Sequence, residues 1–186
     1  MAYNLQSFIR IKNCIDKDLC DEIHNSIEQF MWEKHAWSGY QNNSLQVTTR
    51  QNKELSVCYA DERVNSILLG YVSKAIDDYI SSCPYPFTIN RISATRFNLY
   101  TVGTDMEKHV DHINTLFDGN FKGVPILSIV GVLNDNYKGG NFIFFEDYEV
   151  KLSKGDLMIF PSNFIYPHAV KEITEGNRVS FVSWAF

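Results

Sequence analysis

The sequence predicts a mainly β (α+β) protein, a sandwich or jelly-roll barrel preceded by N-terminal α-helices. Three observations lead there. After Phe87, eight short β-rich runs follow one another with no helical period between them. Turn chemistry separates them: Val102-Gly103, Asp118-Gly119, Lys138-Gly139-Gly140, Lys154-Gly155 and Glu175-Gly176-Asn177. Before Phe87 the strong periodicity is helical.

Asp16 can cap a helix reaching about Trp32, whose apolar stripe is Leu19, Cys20, Ile23, Ile27, Phe30 and Met31. A second helix spans 61–81; Val64, Ile67, Leu68, Tyr71, Val72, Ala75, Ile76, Tyr79 and Ile80 keep its period until Cys83-Pro84-Tyr85-Pro86 stops it. Residues 36–58 read as a long loop with room for short strands, of the kind that forms a binding loop or lid. The strand candidates are 88–100, 106–111, 125–133, 141–145, 148–152, 156–160, 168–173 and 178–186. This suggests one domain over 1–186, with helical support in 1–86 and a β-barrel core in 87–186.

The composition is globular: 45% hydrophobic, 21% charged and 14% aromatic. A net charge of -5 argues against nucleic acid as the partner, because phosphate contacts need a basic surface. No apolar run approaches the ~20 residues a membrane helix needs. The opening MAYNLQSFIRIKNCI lacks a signal peptide's basic start and apolar core. The expectation is a soluble, cytoplasmic protein with no membrane partner. Cys14, Cys20, Cys58 and Cys83 show no C-x-x-C spacing, and read as reduced, buried small hydrophobes.

The chemistry concentrates in MEKHVDHIN, residues 106–114. In a strand, His109 and Asp111 share a face while His112 points away. An imidazole and a carboxylate side by side supply two metal ligands. His168, after the Pro-containing turn NFIYPHAV, is the natural third. Two histidines and one carboxylate leave three positions open, which suits non-haem iron(II). Arg178 and Ser180 share a face of the last run and together can hold a carboxylate. Parity also puts Ile92, Ala94, Arg96, Asn98 and Tyr100 on one face. Polar residues there need a reason: substrate contact, or for Arg96 a structural ion pair. Trp184 reads as a wall of the substrate pocket or as core. His24 and His35 read as surface residues.

Taken jointly, these motifs resemble the iron(II)/2-oxoglutarate-dependent dioxygenases, in their prolyl 4-hydroxylase-like branch. The resemblance runs through IDKDLCDEIHNSI, RFNLYTVG with HVD, YKGGNFIFFED and PHAVKEITEGNRVSFVSWAF. It implies a double-stranded β-helix, with iron on His109, Asp111 and His168. It implies that Arg178 and Ser180 hold the distal carboxylate of 2-oxoglutarate and that Tyr100 lies beside this cosubstrate. It implies O2-dependent hydroxylation with release of succinate and CO2. Asp111 stands where halogenating relatives have no carboxylate, which favours hydroxylation.

The expected substrate is a prolyl residue in a peptide or protein, with residues 36–58 and 112–123 as lids. Arg96, Asn98 and Trp184 are the candidate substrate contacts. The alternatives are a free amino acid or other small molecule, and a barrel that binds metal without catalysis. Nucleic-acid demethylation fits less well. That branch carries a second arginine six residues after the first, where this chain has Trp184.

Overall fold

A run of alternating residues buried on both faces builds the centre of the molecule. In the computed structural model, which describes residues 4–41, 44–50, 52–111 and 123–186, this run is the last strand. In chain order the strands are β1 (Arg10–Asn13), β2 (Glu33–Lys34), β3 (Trp37–Gln41), β4 (Ser44–Thr48), β5 (Ser56–Tyr59), β6 (Arg96–Tyr100), β7 (Met106–His109) and β8 (Leu127–Val132). They continue as β9 (Lys138–Gly139), β10 (Phe142–Phe144), β11 (Tyr148–Val150), β12 (Asp156–Pro161), β13 (His168–Val170), β14 (Ile173–Glu175) and β15 (Arg178–Ala185). The helices are α1 (Lys17–Ser26) and α2 (Glu62–Ser81).

The major sheet has the order β1-β12-β8-β15-β6-β5-β2 and the minor sheet β11-β10-β13-β7, with β14-β9 and β3-β4 as separate two-stranded ribbons. Strand parity gives the major sheet two cores. Leu127, Ile129, Leu157, Ile159, Val179 and Phe181 face Leu68, Val72 and Ile76 of α2 and Cys20 and Ile23 of α1. Their neighbours Val130, Val132, Met158, Phe160 and Val182 face inward, onto Met106, Phe142, Phe144 and Val170 of the minor sheet. Strands buried on both sides read as near-continuous apolar runs, as 127–132 and 156–161 do. The result is the expected jelly roll with helices on its outer face.

Asp16 caps the first helix as anticipated, and Asp61 caps the second. Asp16 accepts from the amides of Asp18 (2.8 Å) and Leu19 (3.2 Å), and Asp61 from that of Val64 (2.8 Å). The first helix is shorter than expected. It ends at Ser26, a 3-10 turn follows over Ile27–Gln29, and the indole of Trp32 donates to the carbonyl of Ile27 (3.2 Å). Met31, counted in the apolar stripe, is 88% exposed.

The expected division at residue 86 does not separate helices from strands. β1 pairs with β12, and β5 pairs with β6 and β2, so the N-terminal half supplies both ends of the major sheet. Segments of two to four residues carry no readable period; their pairing partners, far along the chain, define them. The presumed loop 36–58 holds the β3–β4 hairpin and β5. The expected strand 88–100 is regular only from Arg96, although Ile92 bridges to Ala185. Just before it, Asn65 of α2 binds the amide (2.8 Å) and hydroxyl (3.0 Å) of Thr95, tying that backbone to the helix. The four cysteines are free, and burial pushes the Cys20 and Cys58 thiols up, to about 11 and about 12, so both stay unreactive. Among the described residues no helix is long and apolar enough to cross a membrane.

Gly131 of β8 pairs with Phe181 of β15, and a Cβ there would lie 2.2 Å from Cε1 of that ring. Gly131→Ala is expected to destabilise the fold by about 1–3 kcal/mol. In urea the midpoint falls at unchanged slope; an unaltered midpoint would contradict this packing.

Candidate metal centre

The ladder between β7 and β13 sets two imidazoles face to face: His109 is the register partner of His168, and their ring centroids lie 4.4 Å apart. A bulge follows, because the next pair is Val170 with Met106 and β7 spends one residue more than β13. Each Nδ1 donates to the carbonyl two residues upstream, His109 to Glu107 (2.7 Å) and His168 to Tyr166 (3.0 Å). This fixes the tautomer in which Nε2 carries a free lone pair.

Asp111 stands just beyond the end of β7 rather than inside it. Its Oδ1 lies 3.4 Å from Nε2 of His109 and 3.8 Å from Nε2 of His168. Oδ2 accepts from the Ser128 hydroxyl (2.6 Å) and from the Trp184 indole N–H (3.1 Å). The Ser162 hydroxyl lies 2.8 Å from that of Ser128 and supports it. One carboxylate oxygen is thus held by the protein, and the other faces the two imidazoles. Burial alone would raise the Asp111 carboxyl, but His168, His109 and the Ser128 bond together hold it below the usual carboxylate range. Burial pushes His168 below the ordinary imidazole value, which favours the neutral ring a metal requires. The ligand atoms of His109, Asp111 and His168 all lie within 4.8 Å of one another, close enough to hold one metal ion. His112 and the segment 112–122, expected to face away and to form a lid, lie outside the described residues.

Arg178 enters the same cavity from β15 and is 1% exposed. Its Nη1 donates to the Ser180 hydroxyl (2.8 Å), while Nε and Nη2 have no partner among the described residues. The guanidinium carbon lies 5.1 Å from the centre of the Tyr100 ring and 5.5 Å from that of Phe142. Gly140 makes room for it: a Cβ there would lie 2.9 Å from Cδ of Arg178, and its φ of +69° suits glycine. Burial pushes the Tyr100 phenol up, so it stays protonated and can donate. A buried guanidinium with open donors, beside three clustered metal donors, fits a carboxylate-bearing cosubstrate that also reaches the metal.

Residues 95–186 match the family model described as the 2OG-Fe(II) oxygenase superfamily. The chain belongs to this superfamily. A PKHD-type hydroxylase of Acinetobacter baumannii is 26% identical over 182 residues, covering 94% of this chain and 75% of that protein. One from Stenotrophomonas maltophilia is 35% identical over 94 residues, covering 48% and 41%. A prolyl-4-hydroxylase structure from Pseudomonas putida aligns with a TM-score of 0.66 at 16% identity, covering 96% of this chain and 91% of that one. The viral collagen prolyl hydroxylase of Paramecium bursaria Chlorella virus-1 aligns at 0.62 and 10% identity, covering 96% and 94%. At such identities the structural likeness speaks for the fold, the double-stranded β-helix of the prolyl 4-hydroxylase-like branch. The protein is a 2-oxoglutarate-dependent dioxygenase, and its superfamily implies iron(II) and 2-oxoglutarate.

The sequence-selected residues of this oxygenase converge. Arg96, Asn98, Tyr100, His109, Asp111, His168, Arg178, Ser180 and Trp184 all line one cavity. Ala94, placed on the same face, is exposed and precedes the strand. Arg96 has no ion pair among the described residues; its guanidinium lies over Trp184, 5.2 Å from the ring centre. Trp184 is more than a wall, because its N–H holds the carboxylate of Asp111.

A neighbouring network was not foreseen. Glu54 is fully buried and accepts from His35 Nδ1 (3.0 Å), Trp37 Nε1 (2.8 Å) and the amide and Nε of Arg50 (both 3.3 Å). Arg50 also binds Asp105 (2.7 Å) and Glu107 (3.1 Å). Trp37 then meets the His109 ring edge-on at 5.3 Å. His35, read as a surface residue, has a side chain only 12% exposed. The Arg50/Glu54 spacing of four was the one local hint, and outside a helix that spacing carries little weight.

Adding iron(II) or manganese(II) anaerobically to metal-free protein is expected to raise Tm saturably, and His168→Ala to abolish the rise. Ser128→Ala should fold and bind the metal about 10–100-fold more weakly in equilibrium dialysis. Equal affinity would mean that the Ser128 bond does not orient Asp111.

Proposed function

We propose that this oxygenase hydroxylates a carbon of a prolyl residue in a peptide or protein, holding iron(II) on His109, Asp111 and His168 and 2-oxoglutarate on Arg178. The observation that carries this reading is the buried, open guanidinium of Arg178 in the same cavity as the three metal donors. The prolyl assignment is supported by the neighbouring folds, one of them described as a prolyl hydroxylase in complex with a hypoxia inducible factor peptide fragment. That structure aligns at a TM-score of 0.58 and 17% identity.

When bound, iron and 2-oxoglutarate supply the oxidation: O2 gives one oxygen atom to the substrate carbon and one to succinate, and CO2 leaves. The protein's side chains do the rest. The Nδ1–H bonds aim two imidazole lone pairs at one point. Ser128 and Trp184 fix Asp111 through Oδ2, so Oδ1 is the free donor. The open N–H groups of Arg178 receive the distal carboxylate, with the Ser180 hydroxyl beside them and the neutral Tyr100 phenol able to donate. Phe142, Val130 and Val170 line the same cavity with apolar surface and keep it dry.

Anaerobic addition of iron(II) and 2-oxoglutarate is expected to produce a visible charge-transfer band in the wild type and none in His109→Ala or His168→Ala. Its absence from folded wild-type protein would overturn the cosubstrate assignment. Arg178→Leu should weaken 2-oxoglutarate binding by about 10–100-fold, the worth of a lost charge-assisted pair. Pro-containing peptides should gain the mass of one oxygen. No gain on any peptide, with succinate formed on a free amino acid, would move the assignment to small-molecule hydroxylation.

A further inference from the structure

Among the described residues the cavity is lined by two arginines, and the hydroxylase reading uses one of them. On the inner faces of β6 and β15, Tyr100 stands across from Arg178, Asn98 from Ser180 and Arg96 from Val182. Arg96 therefore lies four residues along β6 from the Arg178 level, about 13 Å at an antiparallel rise. The two arginines therefore enter the cavity from different levels of the strand ladder.

Arg96 is short of partners. Its Nε is buried without an acceptor, and it makes no hydrogen bond or ion pair among the described residues. Asp111 is the carboxylate that its charge feels, but both oxygens of Asp111 are committed, one toward the imidazoles and one to Ser128 and Trp184. The Trp184 ring holds the guanidinium in place and orients it, without neutralising it. Arg96 is half-buried, so its charge is only partly solvated, and an anion meeting it is favoured. Trp184 links the two groups directly: its ring carries Arg96 and its N–H carries Asp111. An anion on Arg96 therefore lies within one side chain's width of the metal donors.

Resting on the hydroxylase reading, we infer that Arg96 docks a carboxylate of the substrate itself, a few bonds from the carbon that is oxidised, and that this oxygenase selects acid-bearing substrates. A single planar guanidinium against aromatic and aliphatic walls matches a carboxylate, which it can bind in bidentate fashion. The carboxylate is either that of the reacting residue or the side chain of an acidic neighbour.

The test uses the full chain loaded with manganese(II) and 2-oxoglutarate, which binds without turnover. Tryptophan fluorescence is followed during titration with two matched pairs of ligands. N-acetyl-L-proline is compared with N-acetyl-L-prolinamide, and acetyl-Pro-Glu-amide with acetyl-Pro-Gln-amide. One acid is expected to bind at least about tenfold tighter than its amide, the usual worth of a charge-assisted pair; which pair discriminates identifies the source of the carboxylate. Arg96→Gln should abolish the preference and leave 2-oxoglutarate affinity unchanged, and Arg96→Lys should keep the fold and part of the preference. Equal binding of acid and amide in both pairs, including no binding of either, overturns the inference. So does a preference that survives in Arg96→Gln, or a parallel loss of 2-oxoglutarate binding, which would assign Arg96 to the cosubstrate. Failure of the wild type to bind 2-oxoglutarate would instead sink the hydroxylase reading and this inference with it.

Discussion

The structure turns on a carboxylate that is buried and still ionised. Asp111 sits where burial opposes its charge; Ser128 and Trp184 offset part of that cost by donating to one oxygen, and two imidazoles close on the other. Those partners come from four strands. His109 ends β7, His168 opens β13, Ser128 lies in β8 and Trp184 in β15. Both sheets of the jelly roll thus contribute partners to this one side chain. The site is therefore not an ornament on a finished fold, since its charges become tolerable only when both sheets are in place.

The outer core acts at a distance on the same site. Helices α1 and α2 cover the far face of the major sheet, and Phe181 and Val179 alternate along β15 with Arg178, Ser180 and Val182. Packing against the helices fixes the strand, and the strand fixes its inward side chains at a two-residue spacing. The close fit of Phe181 over Gly131 is one place where this rigidity is set. The hairpin side contributes likewise, since Glu54 binds Trp37, whose ring lies against His109.

Much of this was legible in the sequence because it obeys a short period. Both helices were marked by apolar stripes, and the first also by its Asp16 cap. The inward set on β15, and Arg96, Asn98 and Tyr100 on β6, followed from alternation. The chemical types of His109, Asp111 and His168 pointed to a metal before any geometry was known. What escaped was set by long-range pairing. β1, β2 and β5 are four residues or fewer and exist because distant strands accept them. His35 looked like a solvated histidine because its acceptor, Glu54, lies 19 residues away. The role of Trp184 as a donor to Asp111 depends on a bond spanning 73 residues.

The direct pairing of His109 with His168 ties the candidate metal site to the register of the minor sheet. Side chains alternate faces along a strand, so a slip of one residue between β7 and β13 would turn one imidazole away from the other. A partly zippered chain therefore presents no two-nitrogen cradle, and a misregistered one presents a single histidine. A metal held by both imidazoles would therefore need a minor sheet closed in register.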